Sequence, residues 1–378
     1  MATETYDNKK NKLYTQKVRE LLKELPSCCG SFVRGIESQT SVLTRYGYLV
    51  DLRSFFQFLI SESSAFQEKK ITELTLADLE EIKALDIELF LEHVTLYTKD
   101  EREIVNHERA KARKLSTLKS FFKFFYRREM ISKNVASLIE SPKLHERAII
   151  RLEANEVATL LDTADAGSGL SPTQKRFHKF TKTRDAAILT LFLGTGIRVS
   201  ELVGINLQDI DFVNNTFLIT RKGGNQDALA FGEEVRSALL DYLLQRETME
   251  PLAGHEDAMF LSMQKRRITP RAVENLVKKY ASIAAPLKKI SPHKLRSTYG
   301  TILYHETGDI YLVADVLGHK DVNTTRKHYA ALSEDRRRIA AQVVHLRDDE
   351  NKDVSNVSQE PQEQENKESH DNNNEEKS

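Results

Sequence analysis

Gly194-Thr195-Gly196-Ile197-Arg198-Val199-Ser200-Glu201-Leu202 is the stretch whose reading decides the fold and the chemistry of this chain. An apolar run, Ile188-Leu189-Thr190-Leu191-Phe192-Leu193, breaks there at two glycines, and a new helix begins with an arginine at its start. An arginine so placed has a fixed base and an open approach from solvent, which suits a permanent cation aimed at a phosphate. Downstream, His293-Lys294-Leu295-Arg296, then Leu317-Gly318-His319, then Tyr329 follow in order.

Those residue types form a kit for one reaction. When a protein hydroxyl attacks a phosphodiester without metal, negative charge gathers on the non-bridging oxygens of the transition state. Guanidinium groups suit that charge because they offer paired N–H donors and never deprotonate. A phenol of pKa about 10 needs a base, and the leaving 5′-oxygen needs an acid. Arg198, Lys222, His293, Arg296, His319 and Tyr329 supply these parts. His293 and Arg296 lie three apart and can share one helical face.

The 378 residues predict two domains or three, and 40% hydrophobic with 30% charged residues is the balance of a soluble globular chain. No apolar stretch approaches the length of a bilayer span, so no membrane partner is expected, and the polar start of the chain does not read as a secretory signal. Cys28 and Cys29, the only cysteines, suit a reducing compartment and are expected to be inert. The net charge of zero conceals a division. Residues 348–378 hold eleven acidic and three basic residues, which leaves fifty-three basic against forty-five acidic residues, a net of +8, in residues 1–347. A basic body is a modest pointer to nucleic acid.

Residues 13–60 read as helical, with Tyr48, Asp51, Leu52, Phe55, Phe56 and Leu59 forming one apolar-sided stripe. Leu76 to Leu91 gives a further helical pattern, and residues 100–108 read as a polar surface loop. Residues 109–128 contain eight basic side chains and no acidic one. There Leu115, Leu118, Phe121, Phe122 and Phe125 face a core, while Lys114, Lys119, Lys123, Arg127 and Arg128 are expected to point toward DNA. Ser141-Pro142-Lys143 begins an extended linker. Helical periodicity returns over 151–193, interrupted near Ala166 to Pro172. Phe212–Thr220 and Asp227–Phe231 read as strands around a tight Lys222-Gly223-Gly224-Asn225 turn. Thr269-Pro270 marks a helix start, and Lys265, Arg266, Arg267 and Arg271 beside it are a second set of expected DNA contacts. The expected organisation is a disordered 1–12, a helical domain over 13–140, a linker over 141–150, a domain over 151–347 and a disordered acidic tail over 348–378.

The segment from Gly194 to Asp211, the His293–Arg296 block and Leu317-Gly318-His319 resemble the tyrosine recombinase (phage integrase) family, in its Xer-like or simple-integrase branch. The resemblance extends from about residue 35 to 345 and is most specific in the C-terminal half. It implies a mostly α protein with a small antiparallel β-sheet in the catalytic domain, a two-domain clamp made of a helical, SAM-like core-binding domain and a catalytic domain. It also implies roles. Arg198 and Arg296 clamp the scissile phosphate, Lys222 protonates the leaving 5′-oxygen, and His293 serves as base toward the tyrosine. His319 hydrogen-bonds the phosphate, and Tyr329 attacks to form a 3′-phosphotyrosine bond. No cofactor, metal or ATP is implied. The partners implied are double-stranded DNA, a homo-tetramer or a hetero-tetramer with a related recombinase, and an accessory bending or directionality factor. The implied location is the bacterial cytoplasm, at the nucleoid. A final helix bearing Ala340, Val343, Val344 and Leu346 is expected to dock on a neighbouring protomer.

Two departures from the family pattern stand out. His319 and Tyr329 are ten apart where nine is common, and one extra residue in a continuous helix rotates a side chain by about 100°. A loop or bulge is expected to absorb it. Ser297 stands where the family often has a second histidine. Two competing readings remain at this point: a DNA-binding regulator or scaffold without catalysis, and a type IB topoisomerase with similar chemistry.

Overall fold

The computed structural model describes residues 6–99, 101–143, 149–221, 224–319, 321, 322 and 325. Lys222, Tyr329, the 329-side of the ten-residue spacing, the Ala340–Leu346 patch and the acidic tail lie outside the described residues.

The N-terminal half is built from α1 (Tyr6–Leu22), α2 (Ser27–Gly35), α3 (Val42–Glu62), α4 (Leu76–Glu81), α5 (Ala84–His93), a hairpin of β1 (Leu96–Lys99) and β2 (Arg102–Val105), and α6 (Glu108–Tyr126). The caps are local and legible. Ser41 accepts from the Thr44 amide at 3.2 Å to start α3. The Leu76–Leu91 pattern divides in two because Asp78 accepts the Thr75 amide (2.8 Å) and Asp86 accepts the Lys83 amide (2.8 Å), each opening a new helix. On α6, Leu115, Leu118, Phe121, Phe122 and Phe125 are all buried against α2 and α3. Phe32 meets Phe121 edge-on at 5.2 Å, and Phe55 meets Phe90 at 5.1 Å. Burying a side chain of this kind contributes about 1.5–3 kcal/mol, so this aromatic cluster dominates the first core.

Two expectations for this half are corrected. The first helix begins at Tyr6, so residues 6–12 are helical and not disordered. Their partners lie far along the chain: Lys9 Nζ donates to the Gly254 carbonyl at 3.0 Å, and the Arg267 guanidinium sits 5.8 Å from the Tyr6 ring. The supposed loop at 100–108 contains β2, paired antiparallel with β1 in the register Leu96↔Val105 to Lys99↔Arg102. Leu96 and Val105 on one face are exposed, and Tyr97 and Ile104 on the other are only half-buried, so this hairpin leaves a weak alternating apolar signature.

The C-terminal half contains α7 (Ala154–Ala166), α8 (Pro172–Thr195), α9 (Val199–Gly204), β3 (Ile210–Asp211), β4 (Thr216–Thr220), β5 (Gln226–Ala230), α10 (Glu233–Glu247), α11 (Pro270–Ala284), α12 (Pro292–Thr307) and α13 (Ile310–Val316). The strands form one antiparallel sheet in the order β3-β4-β5. The second core is centred on α8, whose Ile188, Leu189, Leu191 and Phe192 are buried among α7, α10 and α12. Ser171 and Thr269 cap α8 and α11, each with proline at the first helical position. A buried polar cluster pins α8 to α11. Asp185 accepts from Arg184, Lys279 (2.7 Å) and the Tyr280 hydroxyl (2.9 Å). Burial pushes the Asp185 carboxyl up, but the charges and hydrogen bonds of Arg184 and Lys279 outweigh it and hold it below the ordinary carboxylate range.

Candidate active site

The site is assembled at the end of α13. A helix leaves its last carbonyls without intrahelical partners, and the chain closes this one with a Schellman turn. The Gly318 amide donates to the Asp315 carbonyl at 2.7 Å, and the His319 amide donates to the Ala314 carbonyl at 2.9 Å. This turn requires a left-handed residue, and Gly318 supplies it with φ of +58°. The carbonyls of Val316, Leu317 and Gly318 are thereby turned outward together, toward arginines from three other elements.

Arg198, between α8 and α9, donates from Nη2 to Leu317 O (3.2 Å) and Gly318 O (3.1 Å). Its approach is set by the turn ahead of it, where Gly196 caps α8 with φ of +62° and a Cβ would overlap the Tyr299 ring. Glu201 fixes the other side of Arg198, accepting its amide at 2.9 Å and its Nη1 at 2.8 Å. Arg296, buried on α12, donates from Nη1 to Gly196 O at 2.5 Å and from Nη2 to the same Leu317 carbonyl. The two arginines separated by almost a hundred residues therefore converge on one oxygen. His319 follows directly, its Nδ1 2.7 Å from the hydroxyl of buried Thr325. His293 lies one turn before Arg296 on α12 and is exposed. Lys222 follows Arg221 at the end of β4, and Tyr329 follows His319 by ten residues; both lie outside the described residues.

A third guanidinium reaches the same place and was not singled out by sequence reasoning. Arg221 donates to Leu317 O and Val316 O, each at 3.2 Å. Its neighbour Lys222 drew attention because a lysine there is a chemical group, whereas the aim of Arg221 depends on the α13 turn. Among the described residues, no three His, Cys, Asp or Glu side chains are grouped as a metal site.

The expected DNA contacts divide. Lys123, Arg127 and Arg128 are exposed at the end of α6, with Arg128 stacked 3.8 Å from the Phe124 ring. Lys119 is half-buried and reaches Ser141 Oγ at 3.3 Å. Lys265 and Arg266 are exposed on a turn, and Arg271 is exposed beside Glu274 (2.9 Å). Two of the expected contacts are turned inward. Lys114 is buried, 3.4 Å from the buried carboxylate of Asp51 on α3, which also accepts from Arg113 and from the Thr117 hydroxyl (2.9 Å). Arg267 donates to the carbonyls of Val203 and Ile205 (both 2.9 Å) and to Asn206 Oδ1 (2.5 Å), fastening the loop before α11 to the end of α9. Both were read as phosphate ligands because a run of like charges does not reveal a carboxylate or a row of carbonyls facing it from elsewhere in the chain.

Residues 150–336 match the Phage integrase family. Along the chain, 37% of 290 aligned residues are identical to the tyrosine recombinase XerC of Caldanaerobacter subterraneus subsp. tengcongensis, over 74% of this chain and 75% of that protein. A XerC of Chlorobaculum tepidum is 29% identical over 86% of this chain and 96% of its own length. Among solved structures, the Tn1549 transposon integrase in complex with circular intermediate DNA superposes with a TM-score of 0.58 at 17% identity, covering 83% of this chain and 98% of that one. The fold is thus that of the recombinases, mostly α with small antiparallel sheets. With a relative this similar over this much of its length, and with the arginine pair and histidine of the motif gathered at one turn, the chain belongs to the tyrosine recombinase (phage integrase) family of site-specific recombinases.

Proposed function

We propose that the chain cuts and rejoins double-stranded DNA at the α13 turn through a covalent tyrosine intermediate. The observation that carries this reading is the convergence of Arg198 and Arg296 on the single oxygen of Leu317, with His319 two residues further on. Two forks aimed at one point can embrace a phosphate bearing two non-bridging oxygens, and a bidentate guanidinium holds such a group with fixed geometry. In the proposed reaction the Tyr329 oxygen attacks the scissile phosphorus as its proton passes to His293. The bond from phosphorus to the 5′-oxygen breaks, and Lys222 gives a proton to that oxygen. Arg198, Arg296 and His319 stabilise the charge on the non-bridging oxygens. The product is a 3′-phosphotyrosine and a free 5′-hydroxyl. Because the phosphotyrosine retains a phosphodiester, a second 5′-hydroxyl restores the DNA by the reverse step without ATP.

Two such exchanges on synapsed sites make and resolve a Holliday junction, which requires four protomers: a homo-tetramer, or a hetero-tetramer with a related recombinase. Lys119, Lys123, Arg127, Arg128, Lys265, Arg266 and Arg271 are the proposed phosphate contacts, and a soluble location at the nucleoid follows from the substrate. Among the described residues no helix is long and apolar enough to cross a membrane. Relatives named XerC align over 75% and 96% of their lengths, which favours Xer-type resolution over integration or excision of a mobile element.

The test is to map covalent protein–DNA adducts across the genome that encodes the chain, then to offer the recovered site as a nicked duplex. Wild type traps as an adduct and Tyr329→Phe binds without trapping. Absence of any wild-type adduct makes the chain a DNA-binding scaffold, and relaxation of any supercoiled plasmid regardless of sequence makes it a topoisomerase.

A further inference from the structure

We propose that Arg221 is a positioning residue for strand cleavage, which locks the β4–β5 hairpin onto the α13 turn and so aligns the acid on the hairpin with the arginine pair. The inference rests on the reaction proposed above and adds to it a residue that neither donates the proton nor touches the phosphate.

Arg221 is fastened from both sides. Its own backbone closes the hairpin, its amide donating to Asn225 O at 2.7 Å and its carbonyl accepting from the Gly224 amide at 3.0 Å. Across the hairpin, Asp227 accepts from Nε at 2.8 Å and lies 2.8 Å from Nη2, which fixes the plane of the guanidinium. The remaining edge donates to Leu317 O and Val316 O. The side chain is only 11% exposed, and a Cβ added at Gly318 would overlap its guanidinium. The glycine of the Leu317-Gly318-His319 motif therefore serves two ends, the left-handed turn and the close approach of this arginine.

The chemistry of the fork matters. Arg221 makes four directed contacts in two directions, to a carboxylate on β5 and to two carbonyls at the end of α13, which a single ammonium on a flexible stem cannot reproduce. Lys222 is the next residue after this anchor, so the distance from anchor to acid is one peptide unit. General acid catalysis is worth about 10²–10⁴-fold and depends on placing the donor within hydrogen-bond reach of the leaving oxygen. Releasing the hairpin from the turn forfeits part of that factor while Arg198 and Arg296 keep their own partners.

A substrate whose scissile 5′-oxygen is replaced by sulfur separates this role from others, because a thiolate leaves without being protonated. On the ordinary nicked site, Arg221→Ala is expected to form adduct about 10–100-fold more slowly than wild type, with DNA affinity within about twofold. On the 5′-sulfur substrate its rate returns to within about threefold of wild type, as does that of Lys222→Ala, whereas Arg296→Ala stays slow on both. Arg221→Lys, which keeps the charge and loses the fork, behaves like Arg221→Ala. Asp227→Asn loosens the same anchor from an exposed carboxylate and should slow the ordinary substrate about five-fold, again with sulfur rescue; it carries the test if Arg221→Ala does not fold. Equal slowing on both substrates, or wild-type rates on the ordinary one, overturns the inference. Failure of wild type itself to form adduct overturns the recombinase chemistry instead, so the two are distinguishable.

Discussion

The Asp51 carboxylate and the Leu317 carbonyl each gather cations, and the two clusters differ in what the acceptor is. In the first half, Arg113, Lys114 and the Thr117 hydroxyl converge on the buried carboxylate of Asp51. In the second, Arg198, Arg221 and Arg296 converge on the carbonyl oxygen of Leu317. A carboxylate cancels charge, and the cluster around it becomes a brace between α3 and α6. At Leu317 the shared acceptor is a neutral dipole, and the carboxylates of Glu201 and Asp227 hold Arg198 by its Nη1 and Arg221 by its Nε, so the centre of the cluster stays open to an incoming anion. The same kind of side chain is thus structural where a carboxylate fills the point on which the cations converge, and chemical where a neutral carbonyl does.

The difference can be broken experimentally. Asp51→Ala leaves Lys114 buried opposite no carboxylate at that position, and removal of one partner of a buried pair typically costs about 3–5 kcal/mol. Urea unfolding should register that loss, while adduct formation per folded molecule stays at the wild-type rate. Arg296→Ala has the opposite profile. Loss of one donor to the transition-state charge lowers the adduct rate by about 10²–10³-fold, with a smaller change in the unfolding midpoint. If Asp51→Ala lost catalysis per folded molecule as heavily as Arg296→Ala, the division into brace and clamp would fall.

Asp185 offers a pH test of the brace type. Its carboxyl is held below the ordinary range when folded, so its contribution is present above the unfolded value of about 4 and is lost as pH falls through the folded one. The stability gap between wild type and Asp185→Asn should be widest near neutrality and narrow below about pH 4, as read by urea midpoints across that range. A gap independent of pH would count against an ionised Asp185. The smallest effect belongs to the exposed cations. Lys123→Ala should weaken DNA binding evenly across sequences and reduce the slope of log affinity against log salt by about 1. Lys114→Met should leave that slope unchanged.

How much of this was legible beforehand follows the same line. The apolar stripe of α6 could be read because burial repeats with helical period, and Leu115, Leu118, Phe121, Phe122 and Phe125 are all in the core. The order of Arg198, Arg296 and His319 could be read because the reaction needs those groups, and the structure brings these three to one turn. Lys114 and Arg267 could not be read. Their roles depend on Asp51, sixty-three residues away from Lys114, and on the carbonyls of Val203 and Ile205. The β1–β2 hairpin was missed because its inner pair, Tyr97 and Ile104, is only half-buried, and the early start of α1 because Lys9 and Tyr6 find their partners near residues 254 and 267. Arg221 escaped because only the three-dimensional path of Gly318 brings the α13 carbonyls to it.

The Schellman turn at Gly318 also has a consequence for timing. A free arginine side chain carries about 2 kcal/mol of rotamer entropy that must be lost when it grips a ligand. Here the outward carbonyls of Leu317 and Gly318 take up that ordering for Arg198 and Arg296 while the protein folds, long before any DNA arrives. A phosphate that displaces a neutral carbonyl from those donors meets groups already aligned, and little reorganisation is left for the moment of reaction.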